Sequence, residues 1–291
     1  MTGRPTGLRV TDAHVHVNRF DLMAPGPKSV IVQNPTFPQM ERFLHDPDAF
    51  VAHLDRERIG KAWLINYCAR AVMGYGWEVN PWVASYAATH PERLVAVGGY
   101  DPREDGEGAA AIDRLRDLGI RALKVHPVHQ RLPADLHREA TVLGGRMRAA
   151  YGRAQELRMP VIVHTGTSVF PGAANEFGHV APIANVLADF PDLPVVVAHG
   201  GRPHETKEAV ALLSHPNAWL ELSSCPPKRL PDYFGDLDAI AARCVWGSDW
   251  PGPKVPGMRA NVDAFLELGL SERANELILR DNAARLEAGV R

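Results

Sequence analysis

The chain has 291 residues, 45% of them hydrophobic and 23% charged, with 32 basic and 34 acidic side chains and a formal net charge of −2. These proportions are typical of a folded globular protein and exclude extensive disorder. The balanced charge gives no electrostatic basis for nucleic acid or an anionic membrane as a partner, so we expect a small-molecule partner.

The cellular location is predicted from features that the chain lacks. Residues Met1–Leu8 contain no apolar run suited to a signal peptide, and no window approaches the ~20 apolar residues that span a bilayer. The three cysteines have no metal-binding spacing, which favours reduced thiols. We therefore expect a cytoplasmic protein, and the sequence leaves open whether it forms a homo-oligomer.

Eight short apolar runs, rich in β-branched residues and each ending in a loop, follow one another along the chain. They are Leu8–Val17, Lys61–Cys68, Leu94–Tyr100, Ile120–His126, Val161–Thr165, Val195–His199, Ala218–Ser223 and Cys244–Asp249. Segments with helical spacing lie between most of them: Asp48–Ile59, Glu107–Leu118, Glu139–Leu157 and Pro182–Phe190. Strands that alternate with helices imply a parallel sheet, and eight such units predict a single-domain (β/α)8 barrel, the TIM-barrel fold.

Two regions stand outside this repeat. Asn18–His45 is a long, Pro-rich insertion after the first strand, too long for an ordinary connection, and we expect it to cover the catalytic end of the barrel. Ser271–Leu286 has the spacing of a closing amphipathic helix with Ser271 as its N-cap.

Ionisable residues are concentrated where the predicted strands end, and catalytic groups of such barrels lie at the carboxyl ends of the strands. They are His14, His16, Lys124, His126, His164, His199 and Asp249. Side chains two apart on a strand point the same way, so His14 and His16 can face the barrel axis together. Each residue alone has a structural alternative, but their coincidence at five strand ends favours a site.

Three imidazoles and one carboxylate, from His14, His16, His164 and Asp249, suit Zn²⁺ or another borderline divalent ion and leave one position for water. Such an ion lowers the pKa of its water toward neutrality and so produces a nucleophile. We expect one divalent metal ion, with Zn²⁺ preferred and Mn²⁺ as the alternative.

The ordered motifs DAHVH, LKVHP, VIVHTG, VVVAHGG and VWGSDWP resemble the amidohydrolase superfamily, specifically its amidohydrolase-related branch, from Asp12 to about Leu286. The resemblance implies the same four metal ligands. It also implies that His199 assists proton transfer or orients the substrate, and that Asp249 accepts a proton from the attacking water.

Lys124 has three interpretations. In several binuclear relatives a lysine at this strand end is carboxylated and bridges two metals. The alternatives here are a catalytic and substrate-binding cation that neutralises an anionic substrate, and a structural ion-pair partner. We favour one metal ion over two.

Three further residues are candidate substrate contacts. His126 either contacts the substrate or has a structural role, because it precedes a proline and can face outward. Asn175 lies in the polar loop Thr165–His179, and Arg229 follows the seventh strand, where a solvated loop is the alternative.

The branch that the chain resembles contains hydrolases and nonoxidative decarboxylases, which share one ligand set. The compact chain and Trp250, where decarboxylases more often carry tyrosine, favour a hydrolase of a lactone, an amide or a β-keto acyl compound. A decarboxylase of an unsaturated or aromatic acid is the alternative. A barrel that binds a ligand without catalysis is disfavoured by the complete ligand set.

Overall fold

The structure, a computed structural model, describes residues 9–252 and 255–290. Eight parallel strands are hydrogen-bonded in chain order and form one nearly closed barrel, which confirms the predicted fold. The strands are β1 (Val10–Val15), β2 (Ile59–Ile65), β3 (Leu94–Gly99), β4 (Ala122–Val125), β5 (Val161–His164), β6 (Val195–Ala198), β7 (Ala218–Glu221) and β8 (Cys244–Val245). The predicted start of the first strand at Leu8 lies outside the described residues.

Helices pack around this barrel. They are α1 (Pro25–Ile31), α2 (Phe37–His45), α3 (Pro47–Arg56), α4 (Arg70–Met73), α5 (Val79–Ala88), α6 (Gly108–Asp117), α7 (Pro127–Gln130), α8 (Val142–Glu156), α9 (Ala181–Asp189), α10 (Thr206–Ala211), α11 (Leu230–Phe234), α12 (Leu237–Ile240), α13 (Met258–Leu266), α14 (Glu272–Glu276) and α15 (Asn282–Ala288). Within the described ranges, no helix combines the length and apolarity needed to cross a membrane.

The strands are buried at almost every position, because helices cover their outer faces and side chains fill the interior. This explains why they read as continuous apolar runs rather than as alternating ones. The predicted helix Asp48–Ile59 extends too far: α3 ends at Arg56, Arg58 adopts a left-handed φ of 55°, and Ile59 already begins β2.

The seam between β1 and β8 is completed by backbone hydrogen bonds beyond the end of β8. The amide of Ala13 donates to Trp246 O at 3.0 Å, that of Asp249 to His14 O at 2.8 Å, and that of His16 to Trp250 O at 2.8 Å. The seam therefore places three predicted metal ligands side by side on two neighbouring backbone segments.

The insertion after β1, residues 18–45, forms what we call the strap. Its prolines do not prevent helices, since α1 and α2 each have proline in the first turn, where no helical hydrogen bond is lost. The side chain of Asn34 donates to Pro251 O at 2.7 Å, and the amide of Ala24 donates to Met73 O at 2.8 Å. The strap is thus fastened to the loops that follow β8 and β2.

The closing segment confirms Ser271 as an N-cap, with its Oγ accepting from the amide of Ala274 at 3.1 Å. It is not one regular helix, however, because a π-helical turn at Leu277–Asp281 separates α14 from α15. In this turn the carbonyl of Ile278 accepts from the amide of Trp246 at 2.9 Å. The widened turn therefore directs a backbone carbonyl to the barrel wall.

Candidate metal centre

The imidazoles of His14 and His16 meet the carboxylate of Asp249 at the carboxyl end of the barrel. Asp249 Oδ1 lies 3.1 Å from His16 Nε2 and 3.7 Å from His14 Nε2. Each of the three residues offers a ligand atom within 4.8 Å of the other two. Neighbouring ligands of one tetrahedral zinc ion are separated by about 3.3 Å, given bond lengths of about 2.0–2.2 Å.

The other ring nitrogens of these two histidines fix their tautomers. His14 Nδ1 lies 3.0 Å from Glu221 Oε2, and His16 Nδ1 lies 3.0 Å from Ile65 O. Both partners accept a hydrogen bond, so in the neutral imidazoles each Nδ1 carries the proton and each Nε2 presents a lone pair. Two lone pairs and a carboxylate oxygen then converge with no proton between them, which is an arrangement that a cation stabilises.

The ionisation of these groups agrees with metal binding. Burial lowers the pKa of His14, which keeps the imidazole neutral. Burial raises the pKa of Asp249, but a proton or other positive charge held by His16, His14 and His199 outweighs that effect and lowers the pKa well below its usual value. Asp249 is therefore a carboxylate, and Ser224 Oγ donates a hydrogen bond to its other oxygen.

Glu221, on β7, supports this cluster and was missed by sequence reasoning. Its Oε2 accepts from His14 Nδ1, from the amide of His199 at 3.2 Å and from Ser223 Oγ at 2.8 Å, while Oε1 accepts from the amide of Ser223 at 2.8 Å. These bonds already satisfy the carboxylate, so the grouping of His14, His199 and Glu221 is a hydrogen-bonded support behind the ligands. The signal in the sequence was one acidic residue within the buried run AWLELS.

We expect Glu221→Gln to weaken divalent-metal affinity by about 10–100-fold, the usual effect of removing a partner that orients a histidine ligand. An amide cannot accept every hydrogen bond that the carboxylate accepts, so His14 loses its fixed tautomer. Chelator competition with Zn²⁺ measures the effect. The matched control is Glu287→Gln, which removes a carboxylate bound to Lys61 in a part-buried contact away from the cavity; equal affinities of the two variants would contradict the prediction.

His164 and His199 face the same cavity from β5 and from the turn after β6. His164 Nε2 is buried and, among the described residues, has no hydrogen-bond partner. His199 Nδ1 lies 2.8 Å from Ser223 Oγ, which itself donates to Glu221. His199 Nδ1 must then donate to Ser223, which leaves His199 Nε2 as an unprotonated nitrogen. Burial lowers the pKa of both imidazoles well below the usual value.

Lys124 lies at the same end of the barrel on β4. Its Nζ is buried without a hydrogen-bond partner in the described part of the chain. Burial lowers its pKa to about 8, against the opposing effect of Glu221 and Asp249. A buried amine without a partner is compatible with contact to an anionic ligand and with carboxylation, whereas the third interpretation, a structural ion pair, is not formed among the described residues.

A stack of aromatic rings forms one wall of the cavity. Of its members, only His126 and His164 were predicted from the sequence. The ring of His126 lies 3.6 Å from that of His129 and 3.9 Å from that of His164, centroid to centroid, in nearly parallel planes. His126 is only 5% exposed, so it does not face solvent. His129 bridges Tyr67 Oη at 2.9 Å and Ser168 Oγ at 2.7 Å. Because burial lowers the pKa of His129 to about 3, it is neutral and donates one of these bonds while accepting the other.

The cavity has a volume of about 280 Å³, near the lower end of the range for small-ligand sites. Seven of its lining residues were predicted from the sequence or resemblance: His14, His16, Lys124, His126, His164, His199 and Asp249. Of the four predicted ligands, His14, His16 and Asp249 have ligand atoms within 4.8 Å of one another, and His164 lies outside that group. Sequence reasoning missed Tyr67, His129, Ser168, Phe170, Arg202 and Ser224. The reason is that each lies outside the strands, His129 in α7 and the others in loops, and the path of these segments depends on tertiary packing.

Two predicted substrate contacts do not line this cavity. Asn175 exchanges hydrogen bonds with the backbone of Ser168, accepting from its amide at 2.8 Å and donating to its carbonyl at 3.2 Å, so it shapes the loop. Arg229 is exposed, pairs with Asp232 at 3.1 Å and lies over the ring of Tyr233. Substrate contact by either residue stays a prediction.

Fold and site together define an α/β barrel with a histidine- and carboxylate-lined cavity at the carboxyl ends of its strands. The chain belongs to the amidohydrolase family, whose sequence profile (Amidohydrolase 2) matches residues 11–286. This confirms the resemblance seen in the motifs. No curated protein matches the chain by sequence.

Several solved structures share the fold. An uncharacterised TIM-barrel protein from Bordetella bronchiseptica is 23% identical, with a TM-score of 0.73 over 97% of this chain and 99% of that one. A probable 2-pyrone-4,6-dicarboxylic acid hydrolase from Acinetobacter baumannii is 17% identical, with a TM-score of 0.69 over 96% and 99%. The 5-carboxyvanillate decarboxylase of Novosphingobium aromaticivorans, with bound manganese, is 16% identical, with a TM-score of 0.71 over 99% of both chains. The proteins of similar structure thus include a probable hydrolase and a decarboxylase.

Proposed function

We propose that the protein is a metal-dependent hydrolase that cleaves a small carboxylated or carbonyl substrate, namely a lactone, an amide or a β-keto acyl compound, with a metal-activated water. The observation that carries the proposal is the convergence of His14 Nε2, His16 Nε2 and Asp249 Oδ1 without a proton between them. His164, with its unpartnered Nε2, is the fourth proposed ligand. We propose one divalent ion, Zn²⁺ before Mn²⁺; the manganese in a structural neighbour supports a divalent ion in such a site.

When bound, a divalent ion lowers the pKa of a coordinated water and polarises a carbonyl oxygen. The protein's own groups then supply proton transfer and orientation. His199 presents an unprotonated Nε2 to the cavity because Ser223 accepts from its Nδ1. We assign proton transfer to His199, with Asp249 as a second acceptor held by Ser224. Lys124 is proposed to neutralise an anionic group of the substrate.

The alternative function is nonoxidative decarboxylation of an unsaturated or aromatic acid. The observation that favours it is the pair of aromatic rings, Tyr67 and Phe170, in the wall of the cavity. Such a wall suits a planar ring, as in the substrate named for the structurally similar 2,6-dihydroxybenzoate decarboxylase. The ligand set serves either reaction, so the chemistry must be measured.

A substrate panel on metal-replete protein tests the proposal: lactones, amides, β-keto thioesters and aromatic acids, with CO₂ release and hydrolysis followed in parallel. We expect hydrolysis without CO₂, abolished by a chelator and restored by Zn²⁺. Stoichiometric CO₂ release would establish the alternative instead. Absence of metal-dependent turnover across the panel would contradict both.

We expect the strap to affect substrate use but not metal content. Replacing residues 24–39 with a short Gly-Ser link should leave one ion per chain and raise KM or lower kcat, because the strap covers one side of the site without supplying a ligand. Steady-state kinetics and metal analysis of the same preparation measure both effects. Unchanged kinetics would show that the strap is a bystander.

A further inference from the structure

A second cavity, with a volume of about 80 Å³, adjoins the catalytic cavity beneath the strap. Four residues line both cavities: His16, Tyr67, Phe170 and Asp249. The remaining walls are mainly apolar, with Phe20, Met23, Ile31 and Met40 from the strap and Met73 from α4. The second cavity therefore lies beside the metal centre, and its walls can bind only an apolar group well.

Arg202 lines the catalytic cavity but not the second one. It follows the turn after β6, is half-buried, and its Nη1 donates to Thr167 O at 3.3 Å. Its Nε is buried without a hydrogen-bond partner, and within the described residues the guanidinium forms no ion pair with a carboxylate. A guanidinium without an anion in a cavity wall is suited to a carboxylate, which it can bind through two parallel hydrogen bonds.

These two features lie on different sides of the metal centre. The second cavity includes His16 and Asp249 in its wall, whereas Arg202 borders the catalytic cavity together with His164 and His199. A molecule that reached from Arg202 into the second cavity would therefore pass over the metal ligands. The group between its two ends would be the group that reacts.

We propose that the substrate is an elongated anion with an apolar arm, whose carboxylate pairs with Arg202 and whose arm lies in the second cavity, on the inner face of the strap. This rests on the proposed function, because it assumes that the reacting group lies at the metal centre. It makes Arg202 and Ile31 specificity-determining residues. The strap is then the part of the chain that selects the size of the arm.

Calorimetric binding of three inert probes to the Zn²⁺-loaded protein tests the proposal without turnover. The probes are 4-phenylbutanoate, butanoate, which lacks the arm, and 4-phenylbutan-1-ol, which lacks the charge. We expect 4-phenylbutanoate to bind at least roughly tenfold more tightly than either of the others, since burial of a phenyl group and a charge-assisted hydrogen bond are each worth that much. Equal affinities would overturn the proposal.

Two substitutions test the contacts of the carboxylate end and of the apolar end of the bound molecule separately. Arg202→Gln should weaken the binding of 4-phenylbutanoate by roughly tenfold or more and leave the binding of 4-phenylbutan-1-ol unchanged. Ile31→Trp should fill the second cavity. It should therefore weaken the binding of 4-phenylbutanoate and leave the binding of butanoate unchanged. The matched control is Val32→Trp, at the next position, where the side chain is 45% exposed and outside the cavity wall. Equal effects of the two tryptophans would overturn the second-cavity assignment.

Ile31→Ala keeps the test decisive if the tryptophan variant fails to fold. The enlarged cavity should bind 4-(2-naphthyl)butanoate more tightly than the wild type does, and an unchanged or weaker affinity would count against the proposal. The metal content of every variant is measured alongside. Probe binding without metal-dependent hydrolysis would refute the proposed function alone, whereas hydrolysis without these affinity differences would refute this inference alone.

Discussion

Replacing His16 or Asp249 with alanine should remove the divalent ion and reduce turnover to background while the barrel stays folded. Both residues offer ligand atoms to the same point, and neither belongs to the apolar core that holds the strands together. The barrel differs in this respect from a zinc finger, whose folding free energy is largely that of metal binding. The expected decrease in the free energy of unfolding is the stabilisation that one bound ion provides, about 2.7 kcal/mol when the ion is present at 100 times its Kd.

Metal analysis by mass spectrometry and thermal unfolding by circular dichroism measure the two parts of this prediction. His90→Ala is the matched control, because His90 pairs with Asp48 at 2.7 Å and is not part of the cavity wall. It should keep one ion per chain. Two tightly bound ions bridged through Lys124 would overturn the mononuclear proposal, and no ion after metal-replete expression would overturn the metal site itself.

Replacing His199 with asparagine should leave most of the metal in place but lower turnover by roughly 10²-fold or more, the usual contribution of a positioned acid or base. Asparagine suits this position because the backbone of residue 199 has a left-handed φ of 63°, which Asn tolerates well. The variant therefore removes the imidazole without forcing the turn after β6 to rearrange.

His164→Asn is the control that distinguishes a metal ligand from a proton-transfer residue. His164 is a proposed ligand with a buried, unpartnered Nε2, so its replacement should release metal. Should the variant at residue 199 lose metal as completely as the one at residue 164, His199 would be a ligand and its assignment to proton transfer would be wrong. The pH dependence of kcat should also flatten only in the variant at residue 199.

The sequence was sufficient for the barrel and for the rim of the site, because both depend on local patterns. Buried parallel strands are apolar throughout, and catalytic side chains stand where those runs end. The shared orientation of His14 and His16 was predicted from their spacing, and their place in a site from their coincidence with ionisable residues at the other strand ends. The seam that holds them beside Asp249 could not be predicted, since it joins residues more than 200 positions apart in the chain.

The parts that sequence reasoning missed depend on tertiary contacts. Glu221 is one acidic residue in a buried apolar strand, and its role follows only from its contact with the ring of His14 in the folded barrel. Tyr67 and Ser168 come from separate loops that meet through His129. The helices of the strap were not predicted, because proline is a poor helix former, although Pro25, Pro27 and Pro38 occupy first helical turns.

The hydrogen-bonded seam between β1 and the segment after β8 has a consequence for metal exchange. Because the amide of Asp249 is bound to the carbonyl of His14 and that of His16 to Trp250, the ligand backbone is set by barrel closure and not by the ion. Demetallated protein should therefore accept a foreign ion without refolding. Co²⁺ loaded in this way would bring visible absorption bands into the cavity, and their change on adding a ligand would report on coordination directly.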